Sequence, residues 1–405
     1  MIFINRHTKI MSSESIRYVK KVITRIILTP LKLMRTKRNR VLLINDMSSN
    51  YSDNLKYVGE ELLKRASNFD LIYAGCSLKQ KDLLIKKGIQ PVELNSIRYF
   101  MYGMTSRVLI TNSGGISYLP LKRNQYVINT WHGGGAYKKM GIDMYEDTTI
   151  FRKDMALASK ETDVLLTTCE RFKQVYCKAM LESPDKFWNI GMPRNDCLKN
   201  IDIEVRKKIR KEIGLNSDER LVLFAPTYRK IEDNYFKDSI AISYGIDEKW
   251  ICNTLKERFG GTWVFGYRYH PCVINKDKFS EKENVIDLTD YDDMQELLIA
   301  ADVLINDFSS SMWDYMLTRK PCFIFAKDLD HYIETTELYT PISEWPFSIA
   351  KTNEQLVNNI LAFKRDEYEK SCDRHYKLLG GCESGNATNL VCNKIEEWTK
   401  TLSVK

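Results

Sequence analysis

The stretch Ala301–Ala326, ADVLINDFSSSMWDYMLTRKPCFIFA, reads as strand, tight turn, helix and strand. Val303–Ile305 is a short apolar run of the kind a parallel sheet buries on both faces. Asn306 and Asp307 end it, and Ser309, Ser310 and Ser311 stand where a helix begins. Ser311 with Asp314 three residues on fits a capping box. Arg319-Lys320-Pro321 closes the helix, because the residue before a proline avoids helical backbone. Cys322–Ala326 is the next strand. In open α/β sheets, ligands sit beyond the carboxyl ends of strands, beside helix N-termini. A serine-rich turn there offers N–H groups, hydroxyls and about half a positive charge, which suits a diphosphate. Plain helix capping accounts for the serines equally well.

Outward from this stretch the same alternation recurs. Leu221–Ala225, Thr262–Tyr267 and Val285–Asp287 read as strands, and Glu248–Phe259 and Asp292–Ala300 as helices. An earlier series has strands at Val41–Asn45, Asp70–Ala74, Pro91–Leu94, Arg107–Thr111, Tyr126–Thr130, Val164–Thr168 and Phe187–Ile190, with helices between most of them. Alternating short strands and helices imply parallel sheets. The expected fold class is α/β, with two Rossmann-like domains facing a cleft. The expected boundaries are a basic segment over 1–40, an N-terminal, acceptor-side domain over 41–200, a C-terminal, donor-binding domain over 201–385 and a terminal helix over 386–405.

The chain of 405 residues has a net charge of +8, and the charge is not spread evenly. Residues 1–40 hold eleven Lys and Arg against Glu14, a net of +10, which leaves −2 for the rest. Nucleic-acid binding by the near-neutral body is not indicated. Ile16, Val19, Ile23, Ile26 and Ile27 recur at helical spacing, with Arg17, Lys20, Lys21, Thr24 and Arg25 on the other face. Pro30 ends or kinks that helix. No apolar run here approaches the ~20 residues that span a bilayer. The pattern fits a helix lying on an anionic membrane surface, or one packed on the body. The ten cysteines show no CxxC pairing, which fits reduced thiols. No His/Cys zinc spacing occurs, so no metal site is expected.

The chemically interesting groups follow strands. His132 precedes Gly133, Gly134 and Gly135, whose backbone N–H groups can approach a ligand closely. Thr227 and Arg229 follow one strand, Arg268 and His270 another, and Asp307 with the serines a third. Lys138, Lys139, Arg229 and Arg268 supply cations for phosphate. An α/β-hydrolase reading of HGGG needs a GxSxG elbow, which is absent. Asp290-Tyr291-Asp292 imitates a DxD metal pair, but Asp290 or Asp292 more simply caps the following helix.

Five blocks in order carry a resemblance. They are WHGGGAYKKMG (Trp131–Gly141), GMPRND (Gly191–Asp196), FAPTYR (Phe224–Arg229), RYHP (Arg268–Pro271) and DVLINDFSSSMWDYMLTRKP (Asp302–Pro321). Together they resemble the CDP-glycerol glycerophosphotransferases, the teichoic-acid primases and polymerases. The resemblance implies a GT-B-like fold, a CDP-activated donor and essential histidines at His132 and His270. It also implies peripheral attachment at the cytoplasmic face of the bacterial membrane and a lipid-linked glycan acceptor. On that reading His132, His270 and Arg268 are catalytic. Thr227, Arg229, Asp307, Ser309, Ser310 and Ser311 bind the donor, and Gly133, Gly134, Lys138 and Arg194 make further phosphate or loop contacts. Magnesium would enter only on the donor diphosphate. Departures from the pattern include Gly134-Gly135 for threonine-proline, Phe308 for tyrosine, and a missing arginine after Gly385. A nucleotide-sugar glycosyltransferase and a silent membrane scaffold are the alternatives.

Overall fold

A computed structural model describes residues 3–65, 68–114, 116–145, 147–227, 245–269 and 283–401, with backbone alone over 3–14. Contacts divide the chain into two units, Met1–Asp196 with Gly380–Lys405, and Cys197–Leu379.

The first unit is built on seven strands: β1 (Lys37–Ile44), β2 (Asp70–Ala74), β3 (Gln90–Val92), β4 (Ser106–Thr111), β5 (Tyr126–Asn129), β6 (Val164–Thr167) and β7 (Phe187–Asn189). Their spatial order is β3-β2-β1-β4-β5-β6-β7, and the pairs are parallel. Successive residues of β1 feed opposite cores: Val41 and Leu43 one, Leu42 and Ile44 the other. That two-sided burial is why Val41–Ile44 is a continuous apolar run.

The second unit repeats the plan with β8 (Glu219–Phe224), β9 (Thr262–Tyr267), β10 (Val285–Asp287), β11 (Val303–Asn306), β12 (Cys322–Phe325) and β13 (Ser348–Ala350). Their order is β10-β9-β8-β11-β12-β13. In both units the strand order reverses once, between β1 and β4 and between β8 and β11. Such a reversal opens a crevice at the carboxyl edge, where this architecture binds ligands.

Three expectations about boundaries change. The terminal helix, Ala387–Lys400, is not a separate segment. Val391, Cys392, Ile395 and Trp398 are in the core of the first unit, and the Trp398 ring stacks on Tyr126 at 4.4 Å. Residues 380–385 also belong to the first unit, where Glu383 accepts from Asn195 Nδ2 at 2.6 Å. Finally, β1 begins at Lys37, inside the basic segment, and its buried Arg40 pairs with Asp70 at 2.7 Å.

The N-terminal helix, Phe3–Leu28, runs into a short 3-10 turn at Thr29–Leu33, with Pro30 in its first turn. Its orientation is set by charge. Lys21 pairs with Asp154 at 2.6 Å and Arg25 with Glu161 at 2.5 Å, and both carboxylates lie on the helix Thr149–Glu161 and are nearly buried. Arg25 Nη1 also donates to the carbonyls of Ser117 and Leu119. So two of the basic residues face the body. Ile16, Val19, Ile23, Ile26 and Ile27 are left exposed.

Candidate active site

In the first unit, three asparagines mark the strand ends at the crevice: Asn45 just after β1, Asn112 just after β4 and Asn129 closing β5. All three are buried, so their amides need partners. Asn112 Nδ2 donates to Asn45 Oδ1 at 3.0 Å and to Asp53 Oδ2 at 3.1 Å. Asp53 opens the helix Asp53–Lys64, and its other oxygen holds Arg194 at 2.7 Å. Arg194 Nη1 donates in turn to the His132 carbonyl at 2.9 Å. Asn129 Oδ1 accepts from the Trp131 N–H, and Asn54 Nδ2 donates to the Trp131 carbonyl. The loop carrying His132 is therefore clamped by three residues, Arg194, Asn129 and Asn54. Asp53 and Trp131 both have φ near +60°, a costly conformation for residues with a Cβ.

Within this clamp the His132 Nδ1 lies 3.2 Å from the Asn112 carbonyl. A carbonyl only accepts, so Nδ1 carries the proton and Nε2 presents a lone pair. Burial pushes the imidazole below the usual histidine range, and the Asn112 carbonyl and Asp53 pull the other way. The group is neutral at physiological pH, as a general base must be.

Of the three following glycines, Gly133 has open space where a side chain would stand. A Cβ on Gly134 would lie 1.9 Å from Thr168 Cγ2. The Gly134 carbonyl accepts from the Thr168 hydroxyl. Gly134 is thus required for packing, and its carbonyl is engaged by Thr168. Lys138 is exposed at the far end of the loop. Arg194 was expected to contact phosphate or the loop. It is a loop brace, buried and neutralised by Asp53.

In the second unit, Thr227 follows β8 and Asp307 follows β11, on either side of the strand reversal. Thr227 N and Oγ1 both donate to Asp307 Oδ1 at 2.8 Å, and the Phe308 N–H donates to the same oxygen. Both residues therefore tie the two strand ends together, Asp307 with no exposed surface and Thr227 half-exposed. The expected capping box at Ser311 does not form. The helix Ser311–Met316 starts at that residue, Asn306 Nδ2 donates to its hydroxyl, and Asp314 accepts from Gln295. Ser309 is half-buried and Ser310 exposed, so these two hydroxyls remain reachable.

Arg268 donates to the Tyr291 carbonyl at 3.0 Å. Burial lowers its guanidinium pKa, while Asp293 and Asp292 favour the charge. The helix Met294–Ala300 is capped by Asp293, not by Asp290 or Asp292. Among the described residues no cluster of three His, Cys, Asp or Glu could hold a metal ion. His270 and Arg229 lie outside the described residues.

A sequence profile described as CDP-Glycerol:Poly(glycerophosphate) glycerophosphotransferase matches residues 27–397. The chain belongs to this family. Among its relatives is the teichoic acid poly(glycerol phosphate) polymerase of Staphylococcus epidermidis, 28% identical over 367 residues, covering 86% of this chain and 49% of that protein. The teichoic acid glycerol-phosphate transferase of Staphylococcus aureus is 25% identical over 392 residues, 93% of this chain and 98% of that protein. The chain thus spans about half of the first relative and nearly all of the second. A variant of the wall teichoic acid polymerase TagF soaked with CDPG is similar in structure. The TM-score is 0.77 at 26% identity, over 96% of this chain and 97% of that one. That likeness and the two Rossmann-type sheets make the fold GT-B-like.

In this glycerophosphotransferase-family chain the sequence blocks located His132, the serine turn and Arg194. They did not disclose Asp53, Asn45, Asn112 or Asn129. The one local signal for the asparagines was polar residues ending apolar runs.

Proposed function

We propose that the chain transfers glycerol phosphate from CDP-glycerol to a hydroxyl of a lipid-linked glycan or a growing teichoic-acid or capsule polymer, releasing CMP. The observation that carries this reading is the clamped, neutral His132 at the crevice of the first unit, in a chain of this family. The acceptor oxygen attacks the phosphorus that bears glycerol, and its proton passes to His132 Nε2. The bond from that phosphorus to the bridging oxygen breaks, and CMP leaves with the electron pair. Arg268, together with Ser309 and Ser310, accommodates the donor phosphates and the charge that grows on CMP. His270, beside Arg268 in sequence, is assigned to the same charge. Magnesium enters only as a companion of the donor diphosphate.

The protein works at the cytoplasmic face of the membrane in this reading, as a peripheral protein. Among the described residues no helix is long and apolar enough to cross a membrane. The exposed isoleucines of the N-terminal helix supply an interfacial face instead. This revises how the basic segment acts. Lys21 and Arg25 serve the body, and apolar contact contributes more than the count of eleven cations suggested.

The direct test is release of CMP from CDP-glycerol, with product length measured on undecaprenyl-linked acceptors. CDP-ribitol and UDP-sugars serve as competing donors. Release of UDP in place of CMP would make the chain a glycosyltransferase, and no turnover of any donor would make it a scaffold. Ser309→Ala with Ser310→Ala should weaken CDP binding by roughly 1–3 kcal/mol, the range for bonds to a charged group. Unchanged calorimetric affinity for CDP would return both serines to local structure.

A further inference from the structure

A pocket of about 430 Å³ lies in the first unit where the 3-10 turn meets the helix Ile97–Thr105. Arg35, Lys37, Arg40 and Arg98 line it with Met34, Met101 and Tyr102, and most of the lining surface is apolar. Lys37 and Arg40 lie at the start of β1, whereas the His132 cluster lies beyond its end. Arg40 and Asn45 are five residues apart, roughly 16 Å at strand rise. The pocket is therefore distinct from the candidate active site.

The cations differ in how they are used. Arg40 is committed: it pairs with Asp70, donates to Thr105 Oγ1 at 2.7 Å and lies over the Tyr102 ring at 4.9 Å. Lys37 reaches Asp70 only at 4.0 Å. Arg35 and Arg98 are exposed and have no acidic partner among the described residues. One carboxylate thus serves a site with four cations, which favours an anionic occupant. A small soluble anion does not account for the rim. Leu33 is 92% exposed, two residues before Arg35, and Ile97 is 80% exposed, next to Arg98. Exposed aliphatic residues beside unpaired arginines suit a ligand with a charged head and an apolar tail.

We infer that this pocket binds an anionic glycerophospholipid of the bilayer, its phosphate head against Arg35 and Arg98 and its acyl chains along the apolar lining, Leu33, Ile97 and the exposed isoleucines of the N-terminal helix. The inference rests on the membrane reading given above and specifies one lipid site within it. Lys122 supports the geometry by holding the Met34 carbonyl at 2.7 Å, which fixes the segment that presents Arg35.

The test uses the full chain and short-chain phosphatidylglycerol below its micelle concentration, followed by calorimetry. Wild type should show saturable one-site binding. Arg35→Gln with Arg98→Gln should weaken it at least tenfold. Arg17→Gln with Lys20→Gln, exposed on the N-terminal helix, should leave it within about twofold. CMP release with a soluble acceptor should be unchanged in both variants, which also reports that they are folded. Equal loss in the two double variants would overturn the site in favour of diffuse attraction. Equally tight binding of glycerol phosphate would overturn the lipid assignment in favour of a free phosphate. Tighter binding of an undecaprenyl diphosphate analogue would reassign the pocket to the acceptor. Vesicle sedimentation separates the underlying reading. Wild type that never partitions onto phosphatidylglycerol vesicles removes the membrane role of the helix, whereas partitioning that is indifferent to Arg35 and Arg98 removes only the pocket.

Discussion

His132→Ala is expected to lower CMP release by roughly 10²–10⁴-fold, the usual share of a general base, while the chain stays folded. The substitution removes one side-chain bond, to the Asn112 carbonyl, and the loop keeps its ties through Arg194, Asn54 and Asn129. The pH profile gives a second, independent reading. Burial depresses the His132 pKa, so the acid limb of wild-type kcat/KM should fall below the ordinary histidine value near 6.5. In His132→Ala that limb should vanish from the residual rate. The same shift has a sign for stability. Below pH 6.5 an unfolded chain binds a proton that the folded imidazole resists. This contribution is present above that pH and is lost as pH falls through the folded value. A folded His132→Ala protein within a few-fold of wild type would remove the imidazole from the mechanism.

Arg194→Ala should be the most damaging structural change at the site. Arg194 is 7% exposed and bonds Asp53, so its loss leaves a carboxylate short of a partner in a poorly solvated place. Breaking a buried pair from one side costs about 3–5 kcal/mol. Asp53→Ala should cost a comparable amount, because Arg194 is then stranded and Asn112 loses an acceptor. The double substitution should be milder than the sum of the two. Denaturant unfolding of wild type, both single variants and the double variant closes the cycle. Full additivity would show that the pair is only adjacent, and the clamp on His132 would then rest on the asparagines. Activity should fall in Arg194→Ala even where the protein remains folded, since its Nη1 also fixes the His132 carbonyl.

Much of this architecture is local in origin, and so the sequence alone determined it. Short apolar runs punctuated by glycine, asparagine and proline, with amphipathic helices between them, define parallel α/β units, because strand burial and helix periodicity act over a few residues. The placement of His132, Arg268 and the serines after strands followed from the same reading. Three-residue β13 was missed, since its exposed Ser348 and brief length give no run to detect. What the sequence could not decide was which distant groups meet. Arg194 and Asp53 are 141 positions apart, and nothing near either names the other. Thr227 and Asp307 meet because β8 and β11 are neighbours at the strand reversal, a matter of sheet order. An amphipathic pattern also does not say which face turns inward. For the N-terminal helix, Asp154 and Glu161 settled it by drawing Lys21 and Arg25 toward the body. Charge pairing across the fold, which depends on contacts far apart in the chain, left the isoleucines outside.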